Sequence, residues 1–120
     1  MPQMSSRQVL RPEMPYSALL GQLIKHNRVA KNVDQLAMAA ALGISQSAYS
    51  RIESGDTNMN VWQLRTCAEL LGMTLSQLIA QVEVREHQLS EQGVTVVAEK
   101  RSNPAAALIG IAILAALLVR

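Results

Sequence analysis

Four residues inside one six-residue window, Gln46, Ser47, Ser50 and Arg51, carry side chains suited to the edges of nucleic-acid bases. Glutamine offers adenine a paired donor and acceptor, arginine offers guanine two donors, and serine suits a base or a phosphate. The four share the outward face of one short helix if Ile44 and Ile52 turn inward together with Ala48 or Tyr49. No competing chemistry assembles elsewhere. Cys67 is the only cysteine and lies on the apolar face of a helix, where it reads as a buried, inert thiol. His26 has no second histidine or carboxylate beside it at metal-ligand spacing. Paired carboxylates, an activated serine and a phosphate-cradling glycine loop are all missing from the pattern, so neither an enzyme nor a cofactor is expected.

The elements that must hold those four residues are written in the stretch Asp34 to Gly55, DQLAMAAALGISQSAYSRIESG. Asp34 is a good N-cap, and Met38, Ala39 and Leu42 then mark one buried helical face. Gly43 stops that helix, and Ser45 caps a second one over Gln46 to Ile52. Two short helices joined by a glycine-containing turn cross steeply, and the small Ala39 lets their backbones approach. This is a helix-turn-helix unit.

Beyond the turn, LGQLIKHNRVAKNVDQ (Leu20 to Gln35) and NVWQLRTCAELLGMTLSQLI (Asn60 to Ile79) continue the pattern in register. Over Leu20 to Ile79 the chain resembles the Cro/CI (XRE) family of helix-turn-helix regulators. Asn32 stands where that family usually has glycine and Asp34 where it usually has threonine or serine; asparagine tolerates the left-handed conformation and aspartate caps a helix. The resemblance implies a mainly α, five-helix lambda-repressor-like DNA-binding domain over residues 16–82. It also implies an ion pair between Arg28 and Glu53, and places Gln35 on a DNA phosphate. Thr57, Asn58 and Asn60 follow the second helix of the unit and can donate to phosphate oxygens. Tyr49, where relatives carry an aliphatic residue, reads as core packing with its hydroxyl free to reach a phosphate. Asp56 is the discordant acid in that loop.

The bulk properties bound this reading. The 120 residues suit one modest domain with appendages, and 49% apolar residues suffice for its core. The formal charge of +2 is low for a nucleic-acid binder, so binding must rest on a few placed contacts and on dimerisation. A single cysteine fits a reducing, cytoplasmic compartment. Residues 1–15, with three prolines, read as a flexible N-terminal arm that carries Arg7 and Arg11. The fourth helix is expected to bury Val61, Leu64, Cys67, Ala68 and Leu71. Trp62 falls off that stripe, either exposed for a partner or covered by the arm. The fifth helix runs on past the needs of the domain.

Residues 83–120 read as an oligomerisation region. Val94, Thr95, Val96 and Val97 form a β-branched run that reads as a strand, and a lone strand needs a partner; the simplest is the same strand of a second copy, paired antiparallel at a twofold axis. Residues 105–119 are uniformly apolar, with Leu108, Ile111 and Leu114 as contact residues of an oligomerisation helix. At about 1.5 Å per residue they fall short of the roughly 30 Å a membrane asks for. A membrane tail is the alternative. The expected function is accordingly a sequence-specific transcriptional regulator that binds double-stranded DNA at a palindrome as a homodimer or dimer of dimers; the alternative is a membrane-anchored adaptor that binds a protein partner.

Overall fold

The computed structural model describes residues 12–98 and 104–119. Within them the chain runs β1 (Glu13–Pro15), α1 (Tyr16–Ala30), α2 (Gln35–Leu42), α3 (Gln46–Glu53), α4 (Val61–Leu70), α5 (Leu75–Glu91), β2 (Thr95–Val97) and α6 (Pro104–Leu118). Each of α2 to α5 begins at a side-chain cap. Asp34 accepts the Ala37 amide at 2.8 Å and Ser45 accepts that of Ala48 at 3.1 Å, while Asn60 with Gln63 and Thr74 with Gln77 form reciprocal capping boxes. Such a cap is worth about 1 kcal/mol, enough to set where a helix of eight residues starts. Asn32, at φ 58°, takes the left-handed position after α1, as its sequence position anticipated.

One apolar cluster joins all the elements. Leu19, Leu23 and Ile24 of α1 lie at its centre, with Met38 of α2, Tyr49 and Ile52 of α3, Cys67 of α4 and Leu78 and Val82 of α5 around them. α1 approaches α3 so closely that a Cβ on Gly21 would run into the carbonyl oxygens of Ile52 and Glu53. No side chain larger than hydrogen fits between those two backbones.

The ends of the chain depart from the sequence reading. Residues 1–15 were expected to form a flexible arm, but Glu13–Pro15 is a strand and Met14 is fully buried; Arg7 and Arg11 lie outside the described residues. The strand expected over 94–97 forms at Thr95–Val97, yet its partner is β1 of the same chain and the pairing is parallel. Glu13 stands opposite Thr95, Met14 opposite Val96 and Pro15 opposite Val97. The physical reason is reach: β1 leads straight into α1, and the long α5 returns the chain beside it, so an intramolecular partner is already in place.

α6 packs on β1 and α5. Gly110 rests on β1 so tightly that a Cβ there would meet the carbonyl oxygen of Glu13, and Leu114 and Leu117 enter the core from the same stripe. Val94, Val97 and Leu114, expected at an interface between copies, are therefore buried inside one chain. Val96 and Ile111 are partly buried against the core, and Leu108 stands exposed. Val61, expected in the core, is 71% exposed because it occupies the first position of α4, before that helix meets its neighbours. Among the described residues no helix is long and apolar enough to cross a membrane.

If Met14 anchors the strand pair as its burial indicates, Met14→Ala should lower the free energy of unfolding by about 2 to 5 kcal/mol in urea titration, whereas Val61→Ala should change it by less than about 0.5 kcal/mol. Equal effects from the two substitutions would show that β1 contributes nothing to the core.

Candidate nucleic-acid interface

α3 is polar outside and locked inside. Its inner face consists of Tyr49, Ile52 and Glu53, all buried, and its outer face of Gln46, Ser47, Ser50 and Arg51, all exposed. The four residues singled out in the sequence thus do share one solvent-facing side. Ser47 Oγ lies 3.2 Å from Ser45 Oγ, so the capping serine and the first outward serine are linked.

What holds α3 in this rotation is a buried carboxylate. Each oxygen of Glu53 accepts two hydrogen bonds. Oε2 takes Arg28 Nε at 2.6 Å and the Tyr49 hydroxyl at 2.6 Å; Oε1 takes Arg28 Nη2 at 3.1 Å and Gln35 Nε2 at 2.9 Å. Arg28 spends a further donor, Nη1, on the Val33 carbonyl at 3.0 Å, in the turn between α1 and α2. The expected Arg28–Glu53 pair is present as a two-pronged contact, and it joins α1, α2 and α3 at one point.

The electrostatics follow from that geometry. Burial alone would raise the Glu53 pKa, but the hydrogen bonds from Arg28, Tyr49 and Gln35 outweigh it and hold the group below the ordinary 4.5. The Glu53 hydrogen bond in turn raises Arg28 against the opposing effect of burial. Burial first, then the Glu53 carboxylate, keeps the Tyr49 phenol protonated far above its usual range. Burial, with Glu53 adding to it, pushes the Cys67 thiol up to about 11, consistent with the inert thiol expected; its Sγ sits 4.0 Å from Met59 Sδ.

Two phosphate contacts expected from the sequence are redirected by this cluster. Tyr49 is fully buried and its hydroxyl donates to Glu53, so it is not free to reach a phosphate. The Gln35 carboxamide is turned inward to the same carboxylate, although the residue remains half-exposed at the first turn of α2. The Gln35 contact spans 18 positions and left no signal in the sequence, whereas the Tyr49 contact left a local one. Tyr49 and Glu53 are four residues apart on one helix face, where a tyrosine hydroxyl and a carboxylate lie within reach.

Thr57, Asn58 and Asn60 keep exposed positions in the loop after α3. Asn60 uses its oxygen as the α4 cap and leaves its amide donors outward. The loop is tied to the start of α1 by the Ser17 hydroxyl, which donates to Gly55 O at 2.9 Å. Asp56, the discordant acid, accepts from the Ser54 hydroxyl at 3.1 Å. Trp62 is 59% exposed beside this loop rather than covered. Among the described residues no cluster of His, Cys, Asp or Glu can hold a metal ion.

A sequence profile described as a helix-turn-helix domain matches residues 19–90 of this chain. The chain belongs to the helix-turn-helix domain family. The resemblance to Cro/CI-type helix-turn-helix regulators is borne out at that level. Comparison with solved structures finds the crystal structure of the clp gene regulator ClgR from Corynebacterium glutamicum, with a TM-score of 0.60 and 19% identity over 64% of this chain and 82% of that one. The likeness is one of fold. Comparison with curated proteins finds no match. In this helix-turn-helix domain α2 and α3 are the two helices of the motif, and α3 occupies the recognition position.

Glu53→Gln should leave Arg28 buried without its counter-charge and cost about 3 kcal/mol of stability at pH 7. Because the folded-state pKa of Glu53 is depressed, its contribution is complete above 4.5 and is lost as the pH falls through the lower folded value. The stability gap between wild type and Glu53→Gln, measured by urea denaturation, should therefore narrow as the pH falls below 4.5. A gap that is constant over that range would mean the carboxylate is not held in its charged form.

Proposed function

We propose that the protein is a sequence-specific DNA-binding transcriptional regulator that acts as a homodimer on a palindromic operator. One observation carries this reading. α3 exposes Gln46, Ser47, Ser50 and Arg51 on a single face while its other face is fastened by Glu53 to α1 and α2. A polar helix face is common, but one whose rotation is set by a buried three-helix contact is presented in a fixed register, as base readout requires.

In this reading Arg51 and Gln46 make the base contacts with most information, and Ser47 and Ser50 complete the face. Thr57, Asn58 and Asn60 donate to phosphates, and they set position without selecting sequence. Gln35 acts chiefly by holding Glu53, with its backbone amide at the α2 N-terminus directed to the same phosphate strand. The few cations of the domain, Lys25, Arg28, Lys31, Arg51 and Arg65, include one already paired inside the protein, so non-specific attraction to DNA is weak and the dimer supplies the remaining affinity. The membrane-anchored adaptor finds no spanning helix among the described residues, and no apolar patch lies on the outer face of α3.

Selection of bound sites from a random DNA pool, followed by binding to systematically altered sites, tests the assignment. Arg51→Ala should cost about 1 to 3 kcal/mol and relax preference at one base pair per half-site, whereas Asn58→Ala should weaken all sites alike. An Arg51→Ala protein with unchanged site preference would remove Arg51 from the reading face.

A further inference from the structure

α6 is apolar on every side, but the domain covers only one of them. Ala106, Gly110, Leu114 and Leu117 form the buried stripe of a helix that packs on β1, α5 and α1, and the seat of Gly110 on the Glu13 carbonyl fixes the helix in that rotation. Leu108, Ile109, Ala112, Ala115 and Ala116 then fall within an outward arc of about 120°. All five are exposed, Leu108 at 67%. No charged or hydrogen-bonding side chain occurs from Pro104 to Val119.

We propose that a second copy of this chain docks on this face, with its α6 antiparallel and a twofold axis passing at Ala112. The order of large and small residues selects that arrangement. In an antiparallel pair centred on Ala112 the axis keeps each residue and its mate on the same flank, so Leu108 of one copy meets Ala115 of the other, Ile109 meets Ala116, and Ala112 meets its own mate. Every large side chain faces an alanine. A parallel pair would set Leu108 against Leu108 and Ala116 against Ala116, with a clash at one end and a void at the other.

The surroundings of Ala115 supply the receiving hollow. A cavity of about 250 Å³ lies between α1 and α6, lined by Gln22, Lys25, His26, Val29, Ala115 and Leu118. The partner's Leu108 enters at its Ala115 wall and covers Val29, otherwise 57% exposed. An isologous contact brings each group near its own copy, so charge at its centre would repel itself; the centre of this face has none. None of these residues belongs to α2, α3 or the loop after α3, so both reading faces stay free.

The contact is small. A helix of 15 residues is about 22 Å long and 10 Å wide, so the pair buries a few hundred Å² per copy against the roughly 800 Å² of a standard interface. The dimer is therefore weak in free solution and completes itself on DNA, where two adjacent half-sites hold the copies together. This purpose rests on the function proposed above; the contact itself does not.

The test uses the full chain in the absence of DNA. Ala112→Cys, at the axis, should form a disulfide dimer under mild oxidation, while Leu108→Cys, which faces residue 115 of the other copy, should cross-link far less; the wild type, with Cys67 buried, should not cross-link. Leu108→Asp should weaken self-association at least tenfold in sedimentation equilibrium with an unchanged circular dichroism spectrum, and lower affinity for a selected palindrome on the order of 100-fold while leaving half-site binding intact. Equal cross-linking at positions 108 and 112, wild-type association of Leu108→Asp, or a monomer that instead pellets with anionic lipid vesicles would overturn the interface. Cross-linking at 112 without any DNA selectivity would leave the interface standing and remove the proposed function.

Discussion

The carboxylate of Glu53 is the constraint on which the domain depends. An ionised carboxylate inside a protein is costly unless its lone pairs are filled, and here four hydrogen bonds from three side chains fill them. Arg28 comes from α1, Gln35 from α2 and Tyr49 from α3 itself, so the group is satisfied only when all three helices are assembled. The favourable geometry of any one helix is thereby made conditional on the others. Glu53 and Tyr49 occupy the last two turns of α3, one turn apart, and fixing both sets the rotation of that helix about its axis. The outward positions of Gln46, Ser50 and Arg51 are a consequence of this inward grip.

Around that frame the chain closes on itself. The helix-turn-helix profile ends at residue 90, and β2 and α6 lie past it. They are not loose additions, because Met14, Val94, Leu114 and Leu117 belong to the same apolar cluster as the helices of the motif. The parallel pairing of β1 with β2 brings the beginning of α1 and the end of α5 together, and Gly110 allows α6 to lie directly on β1. One face of α6 is thus used within the chain and the other is left apolar, a division that a helix with a polar outer face would not need.

The electrostatic character of the domain is restrained for a DNA reader. With a formal charge of +2 over the chain and Arg28 committed internally, little long-range attraction is available. Contacts by neutral donors and by helix N-termini are short-ranged and geometric, and they favour discrimination over indiscriminate adhesion to phosphate. In the proposed dimer the affinity comes from two half-site contacts made at once, since coupling two weak contacts multiplies their strength without adding charge.

The residues themselves determined the helices, their caps and the motif, because these are local: a cap needs only a short polar side chain three residues ahead of an amide, and Asp34, Ser45, Asn60 and Thr74 all have it. The outward face of α3 was legible for the same reason, from the spacing of Ile44, Ile52, Gln46, Ser50 and Arg51. The Arg28–Glu53 pair came through the resemblance, since nothing local joins residues 25 positions apart. Only the tertiary structure decided where the Tyr49 hydroxyl and the Gln35 carboxamide point, because both turn toward a carboxylate whose position depends on three helices packing together. It also decided that the 95–97 strand pairs within the chain and that α6 buries one stripe and exposes another. A uniformly apolar helix has no polar residue to mark its outer side, so its rotation is set by contact, through the seat of Gly110 on the backbone of β1.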